Sequence, residues 1–474
     1  MKIKLGLGKL NMKDVARYCS GELYDYTGDV GCSVSYVCTD SREADAETMF
    51  VATRGERVDG HDYIIGAIDR GCKCILCEYV PSNIAGRAVD FVTVENSIDA
   101  FALTARGYRE EKRLRTVAIT GSVGKTTTKE LTAAILGRAT GLYATSGNFN
   151  SVIGMPMSLM EAQEDKDTAV FEMGMSGFGE IHSMSVTATP DVAMVVNIGS
   201  SHLEYLKTRE NIARAKLEVA DGLREGGYLL LNGDEPLLRK EIGDKKYNVL
   251  YLGMENKDTQ DVYADNIKVS ESGTEFDLHF DGKLYCALKV KPVGKQFVYN
   301  AMFAAVASLV FGCDEQTVRE GLFSYTPDGI RQNIKNVKGI TLVADCYNAA
   351  PESMRASIDT LCLLNISGKR IAVLGDMREL GKDSDEMHRD IGKYISEKGI
   401  DLLLTLGDSG KLIADGASAS GMSGENIFSE TDVENAEALC QALEGKMQAG
   451  DGVLIKASRG VRLERVIERL FKEN

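Results

Sequence analysis

Apolar residues gather along this chain into short runs rich in β-branched side chains, separated by stretches in which they recur every third or fourth position. Up to about residue 95 the runs VSYVCT, TMFVAT, CKCILCEYV and AVDFVTV read as strands and residues 63–70 as a helix, a small α/β pattern. Residues 97–109 read as a helix leading into the next unit. The middle block opens with RTVAIT, a Gly-containing turn and the helical run TTTKELTAAILGRA, the first step of a doubly wound sheet. DTAVFEMG, DVAMVVNIG and GGYLLLN add buried strands, with a helix near 211–223 between the last two. The alternating stretch 262–290 reads as an antiparallel β insert, and YNAMFAAVASLVFG as a closing helix.

A third α/β pattern follows, with GITLVADCY, KRIAVLGDM, IDLLLTLG and DGVLIKAS as strands between amphipathic helices. The expected fold is therefore α/β in three domains, 1–96, 97–326 and 327–474. At roughly 100–200 residues per domain, a chain of 474 residues predicts about that number. Strand ends rich in Gly, Asp and Ser mark the edge where open parallel sheets meet ligands.

Composition narrows the function classes. A net charge of −15 sets the chain against duplex nucleic acid and anionic membranes. No run approaches the roughly 20 apolar residues of a membrane span, and MKIKLGLGKLNMKD lacks the apolar core of a signal peptide, so a cytoplasmic protein is expected. The 11 cysteines are scattered through apolar runs, which fits reduced, buried thiols. Cys72, Cys74 and Cys77 also admit a metal reading. A closed zinc site needs four ligands and no second Cys or His pair lies nearby, so a strand entering a core is preferred.

The chemistry begins at TGSVGKTTT, residues 120–128, between a strand and a helix. Backbone N–H groups across Gly121, Ser122, Val123, Gly124, Lys125, Thr126 and Thr127 can hold phosphate oxygens, with Lys125 neutralising charge and the Thr126 hydroxyl suited to magnesium. Ile119 stands where the standard pattern has its first Gly. FEMGMSGFGEI places Glu172 at the end of an apolar strand, and VVNIGSSHLEYL places His202 just beyond another. Parallel strands deliver such ends to one edge, so Glu172, His202 and Thr126 are expected to converge, a set suited to magnesium. Lys216, in ENIARAKLEVADGL, reads by spacing alone as an exposed charge.

TGSVGKTTT, NFNSVIGMPMSL (148–159), FEMGMSGFGEI, NIGSSHLEYL and ARAKLE, in this order, resemble the central domain of the Mur ligases. The resemblance spans nearly the whole chain. It implies a three-domain architecture: a small N-terminal domain for a UDP-linked substrate, a P-loop central domain for ATP, and a Rossmann-like C-terminal domain for the incoming amine. In this family a phosphate loop without its first Gly is normal. Lys216 matches a lysine that the family carbamylates, which implies two magnesium ions held by Thr126, Glu172, His202 and the modified Lys216. Asn300 is implied at the adenine, Arg331 and Asp345 at the nucleotide once the domains close, and Ser41 and Arg42 at the UDP part. Asn148, Asn150, Tyr347 and Asn348 are implied at the peptide substrates.

DCYNAAPESM (345–354) and VLGDMRELG (373–381) are similar to family members that add D-alanyl-D-alanine to a UDP-N-acetylmuramoyl-tripeptide in peptidoglycan precursor synthesis. The D-N-P-R and A-H-N-P runs of sister enzymes are missing. Where the family usually reads G-x-H-N before the adenine-contacting Asn, this chain has Gly294-Lys295-Gln296-Phe297, and Ser151 stands where a second Asn is common. A monomeric protein is expected. A family member with another amino-acid donor, or a nucleotide-binding protein without ligase chemistry, remain the alternatives.

Overall fold

The computed structural model describes residues 1–472 apart from 29–31, 56–57, 85–86, 111, 146, 148, 244–246 and 328. Its framework is three sheets in sequence. In the first, four parallel strands, Tyr36–Cys38, Thr48–Val51, Cys74–Cys77 and Asp90–Thr93, are flanked by antiparallel Lys2–Lys4 and Glu22–Tyr24. These parallel strands are short and almost wholly buried, as continuous apolar runs covered on both faces should be.

The central sheet has nine strands, with Arg115–Thr120 between Thr168–Glu172 and Val192–Val195. The chain leaves Arg115–Thr120 and returns on both sides of it, which opens a crevice at that strand's C-terminal end. Register fixes what meets there, since Glu172 pairs with Ile119 and Val195 with Thr120.

The alternating segment 262–290 is not a separate insert. Val262–Ser270 pairs in parallel with Asn248–Gly253 and then antiparallel with Gly273–Phe280, which pairs with Lys283–Val290, so the hairpins extend the central sheet. Their apolar positions, among them Phe276, Leu278 and Leu288, pack under the helix Gln296–Val310, while the alternate positions face outward. The strand Asn248–Gly253 that connects them escapes sequence reading because only its last two residues are buried.

The third sheet runs Asn333–Val337, Ile340–Ala344, Gly452–Lys456, Arg370–Gly375, Leu402–Leu406, Ile427–Glu430, parallel except for its first pair. Two apolar clusters cover its two faces. By contrast, the first sheet and one face of the central sheet share a continuous core, in which Phe101 of the helix Ser97–Tyr108 joins Leu10 and Val15 to Met155 and Phe171. Each such fully buried side chain contributes about 1.5–3 kcal/mol. Burial pushes the Cys72 thiol up to about 11 and Cys77 up to about 12, so both stay protonated. Among the described residues no group of three or more His, Cys, Asp or Glu side chains is arranged to hold a metal. No helix is long and apolar enough to cross a membrane, again among the described residues.

Candidate functional site

The crevice at the end of Arg115–Thr120 is a cavity of about 580 Å³ whose lining includes residues 122–127, Glu172, His202, Asn300, Arg331 and Tyr347. The loop from Gly121 leads into the helix Lys125–Leu136, so its N–H groups and the helix N-terminus face one space. Gly124 begins that helix at φ +81, and a Cβ there would lie 2.6 Å from Asn300 Oδ1; both facts require glycine. Asn197, at the end of the neighbouring strand, splints the loop. Its Oδ1 accepts from Ser122 N at 3.0 Å and Val123 N at 2.9 Å, and its Nδ2 donates to Val123 O at 2.7 Å. Lys125 Nζ folds back onto Gly121 O at 2.7 Å.

Thr126 Oγ1 donates to Glu172 Oε2 at 2.7 Å, and Asn150 Nδ2 donates to Glu172 Oε1 at 2.9 Å. The hydroxyl, the carboxylate and the amide expected from separate segments thus form one connected set. His202 lines the same cavity. Its Nδ1 is 2.6 Å from Glu379 Oε2, and this contact holds the Glu379 carboxyl below its ordinary value.

Lys216 differs from its spacing-based reading as an exposed charge: the helix Arg209–Leu217 buries it to 1% exposure. Burial pushes its amine well below the usual lysine value, and the nearby Lys125 charge adds to the shift. Burial also lowers Lys125, opposed by Glu172 and aided by Arg331. Lys216 is not one of the residues that line the cavity.

The third sheet closes the cavity. Arg331 Nη1 donates to Thr126 Oγ1 at 2.5 Å while its guanidinium lies 3.3 Å from the centre of the Tyr347 ring. On that ring's hydroxyl Arg459 Nη1 donates at 3.3 Å. Asp345 also lines the cavity, but its carboxylate is engaged: Oδ2 accepts from Lys456 Nζ at 2.6 Å and Ser357 Oγ at 2.7 Å, and Oδ1 from Gln332 N at 3.2 Å. Asn348 lines the cavity and its carbonyl accepts from Lys456 Nζ at 3.1 Å.

Asn197, Lys456 and Glu379 were not singled out from sequence. Asn197 had a signal, its place at a buried strand's C-terminal end inside an already conspicuous run. Lys456 ends a buried strand of the third sheet. Glu379 lies inside the quoted run 373–381, but nothing in that run points to His202, its partner far away in the chain.

Ser41 and Arg42 lie elsewhere, in a short turn after the strand Tyr36–Cys38, and do not line this cavity. Ser41 is buried, and Arg42 is exposed with Nη2 2.6 Å from Asp40 Oδ2. Asn148 lies outside the described residues. Ser151 Oγ accepts from Gly154 N at 3.1 Å, a local cap. Asn300 is buried on the helix Gln296–Val310 and accepts from Thr128 Oγ1 at 3.3 Å, while Gln296 Nε2 donates across to Thr360 Oγ1 at 3.4 Å.

Thr126 and Glu172 are oxygen donors of the kind Mg²⁺ takes alongside waters and phosphate oxygens. His202 alone is a weak magnesium set. Lys216 lies close by, with an amine that burial makes easier to deprotonate, the form in which a lysine can add carbon dioxide. Thr126, Glu172 and His202 are the donors on this cavity wall that suit magnesium.

Known proteins bear on this geometry. Residues 119–308 match the Mur ligase middle domain, 331–459 the Mur ligase glutamate ligase domain, and 33–109 the Mur ligase family catalytic domain. The UDP-N-acetylmuramoyl-tripeptide--D-alanyl-D-alanine ligase of Bacillus subtilis (strain 168) is 36% identical over 473 residues, covering 98% of this chain and 99% of that protein. Its Escherichia coli (strain K12) counterpart is 32% identical over 446 residues, covering 92% and 94%. Among solved structures, MurF from Acinetobacter baumannii superposes with a TM-score of 0.87 at 26% identity, covering 99% of this chain and 100% of the other. MurF from Thermotoga maritima in complex with ADP gives 0.79 at 31% identity, covering 91% and 96%. With its phosphate loop, three sheets and near-complete match to these proteins, the chain belongs to the Mur ligase family.

Proposed function

We propose that this chain is the ATP-dependent ligase that joins D-alanyl-D-alanine to UDP-N-acetylmuramoyl-tripeptide in peptidoglycan precursor synthesis. The observation that carries the reading is the junction at Thr126, where the phosphate loop, Glu172 of the central sheet and Arg331 at the edge of the third meet in one cavity. In this reading residues 1–96 hold the UDP part through Ser41 and Arg42, 97–326 hold ATP, and 327–474 bring the amine.

Joining a carboxylate to an amine in water is uphill, so the carboxylate needs a leaving group. The tripeptide's terminal carboxylate oxygen attacks the γ-phosphorus of ATP, ADP departs, and an acyl phosphate remains. The amine nitrogen of D-alanyl-D-alanine then attacks the acyl carbon, phosphate leaves through a tetrahedral intermediate, and the surplus ammonium proton passes to solvent. Charge grows on phosphoryl oxygens and on the carbonyl oxygen, so positioning and electrostatic stabilisation outweigh proton transfer.

The chain's residues divide this work. Lys125 leaves Gly121 O for the β- and γ-phosphate oxygens, and the N–H groups at the start of the helix Lys125–Leu136, in a loop that Asn197 splints through Ser122 N and Val123 N, hold the rest of the phosphate chain. Asn300 serves the adenine and Gln296 keeps a hydrogen-bonding side chain beside it. Arg331, held flat against Tyr347, reaches the transferred phosphoryl group only while the third sheet is docked, and Asn150, Tyr347 and Asn348 position the peptides. Magnesium, when bound by Thr126 with Glu172 and by His202 with carbamylated Lys216, supplies neutralising charge that lets two anions approach. Docking of the third sheet excludes water from the acyl phosphate.

The test is a phosphate-release assay over a grid of UDP-muramoyl peptides and amine donors, with amide product identified by mass. Release that requires UDP-muramoyl tripeptide and D-alanyl-D-alanine together is expected. Release supported equally by a single amino acid would reassign the donor, and a stable phosphorylated product without amide would end the ligase reading.

A further inference from the structure

His202, which lines this cavity, and Glu379, outside its lining, both adopt left-handed backbone without being glycine, at φ 69 and φ 64, and they touch each other across the boundary between the central and third sheets. Side-chain-bearing residues persist in that region where their surroundings hold them there. His202 Nδ1 is buried and makes no aligned hydrogen bond, yet Glu379 Oε2 stands 2.6 Å away, so a small ring rotation completes the pair. The backbone fixes the approach. Glu204 N donates to Glu379 O at 3.1 Å, and Gly381, at φ +67, lies so close that a Cβ would meet Glu204 Cα at 3.1 Å.

A neutral imidazole carries one ring proton, and which nitrogen holds it is set by the partner of the other. A carboxylate at Nδ1 keeps the proton there and leaves Nε2 with its lone pair. On this side chain Nε2 has no protein partner among the described residues, and the ring lines the cavity.

We propose that Glu379 is a positioning residue for the ligase: its carboxylate, delivered by the third sheet, holds the Nδ1 proton of His202 and so presents Nε2 as a cation ligand only when the two sheets are docked. The inference rests on the reading of His202 as a magnesium ligand given above. Outer carboxylates of this kind orient metal-binding histidines and change metal affinity or activity by about 10–100-fold when removed.

The experiment uses the full chain labelled with ¹⁵N at its five histidines, with ring proton–nitrogen correlations recorded where the imidazole is neutral and His202 assigned by its loss in His202→Gln. In the wild type His202 is expected as the Nδ1-protonated tautomer. Glu379→Ala shifts it toward the Nε2-protonated form, whereas Glu379→Gln, whose amide oxygen still accepts, shifts it less. Gly381→Ala pushes the turn away from Glu204 with the carboxylate intact and reproduces the Glu379→Ala spectrum. Mg²⁺ affinity, measured by calorimetry with a non-hydrolysable ATP analogue, falls about 10-fold or more in both, and kcat falls with little change in KM for ATP. Glu379 is 41% exposed, so its variants keep the fold. An unchanged tautomer in Glu379→Ala, or an unchanged Mg²⁺ affinity, overturns the proposal. The tautomer and the cation affinity are read without turnover, so an enzyme that made no amide would sink the ligase reading while leaving this result legible.

Discussion

Arg331 Nη1 lies 2.5 Å from the Thr126 hydroxyl, which itself donates to Glu172 at 2.7 Å, so the edge of the third sheet is tied directly to the phosphate loop of the central one. The guanidinium lies over the Tyr347 ring, and in the proposed reading it meets the charge of a terminal phosphate. Arg331→Ala is expected to lower kcat by about 100-fold or more, in the range of a lost transition-state donor. Arg331→Lys should restore little, because an ammonium neither stacks on Tyr347 nor forks to two oxygens. Steady-state kinetics check both, and a lysine variant with near-wild-type kcat would remove the planar role.

Lys125 is half-buried in the cavity wall and bonded only to loop carbonyls, at 2.7 and 3.4 Å. Lys125→Ala is expected to abolish phosphate release that depends on both peptide substrates. Near-normal turnover by that variant would refute its place at the phosphates.

For Lys216 the expectation is chemical. Lys216→Ala should lose activity and regain part of it with added short-chain carboxylates, which restore anionic oxygens where the carbamate stood. Full activity without any addition takes Lys216 out of the site.

The same lysine should write itself into stability. Its folded-state pKa is pushed down by burial, so between that depressed value and the ordinary one the unfolded chain binds one more proton than the folded chain. Stability of the uncarbamylated protein, measured in carbon dioxide-free buffer, therefore rises with pH across that window. Lys216→Met should flatten the rise and raise stability at its acidic end, with Lys125 leaving a smaller slope of the same sign. Parallel pH profiles for the two proteins would contradict this.

Asp345 and Lys456 form a pair at 2.6 Å with side chains 9% and 2% exposed. Lys456→Ala leaves that carboxylate buried without its cation and is expected to cost about 3–5 kcal/mol. Denaturant unfolding with an unchanged slope checks it, and a loss below about 1 kcal/mol would mean that Ser357 and Gln332 suffice to hold the charge.

The legible part of the site was the part written in contiguous residues. The loop 120–128 needs glycines, a lysine and a threonine at fixed spacing, and Glu172 and His202 stand at strand ends that any parallel sheet collects at one edge. Lys216 was legible only through resemblance, because burial of a charged residue in the helix Arg209–Leu217 leaves no periodic trace. Asp345 was expected at the nucleotide; it lines the cavity, and nothing in the sequence signals that its carboxylate also accepts from Lys456, Ser357 and Gln332 N.

By itself, then, the amino-acid order determined the α/β class, the three sheets and the phosphate loop, since these follow from local periodicity and from turn chemistry confined to a few residues. Only the tertiary structure decided that the segment 262–290 extends the central sheet, that Lys216 is buried near Lys125, and that Glu379 reaches His202. Those outcomes depend on edges and units far apart in the chain meeting in space, and distance along the sequence carries no record of which surfaces will exclude water together.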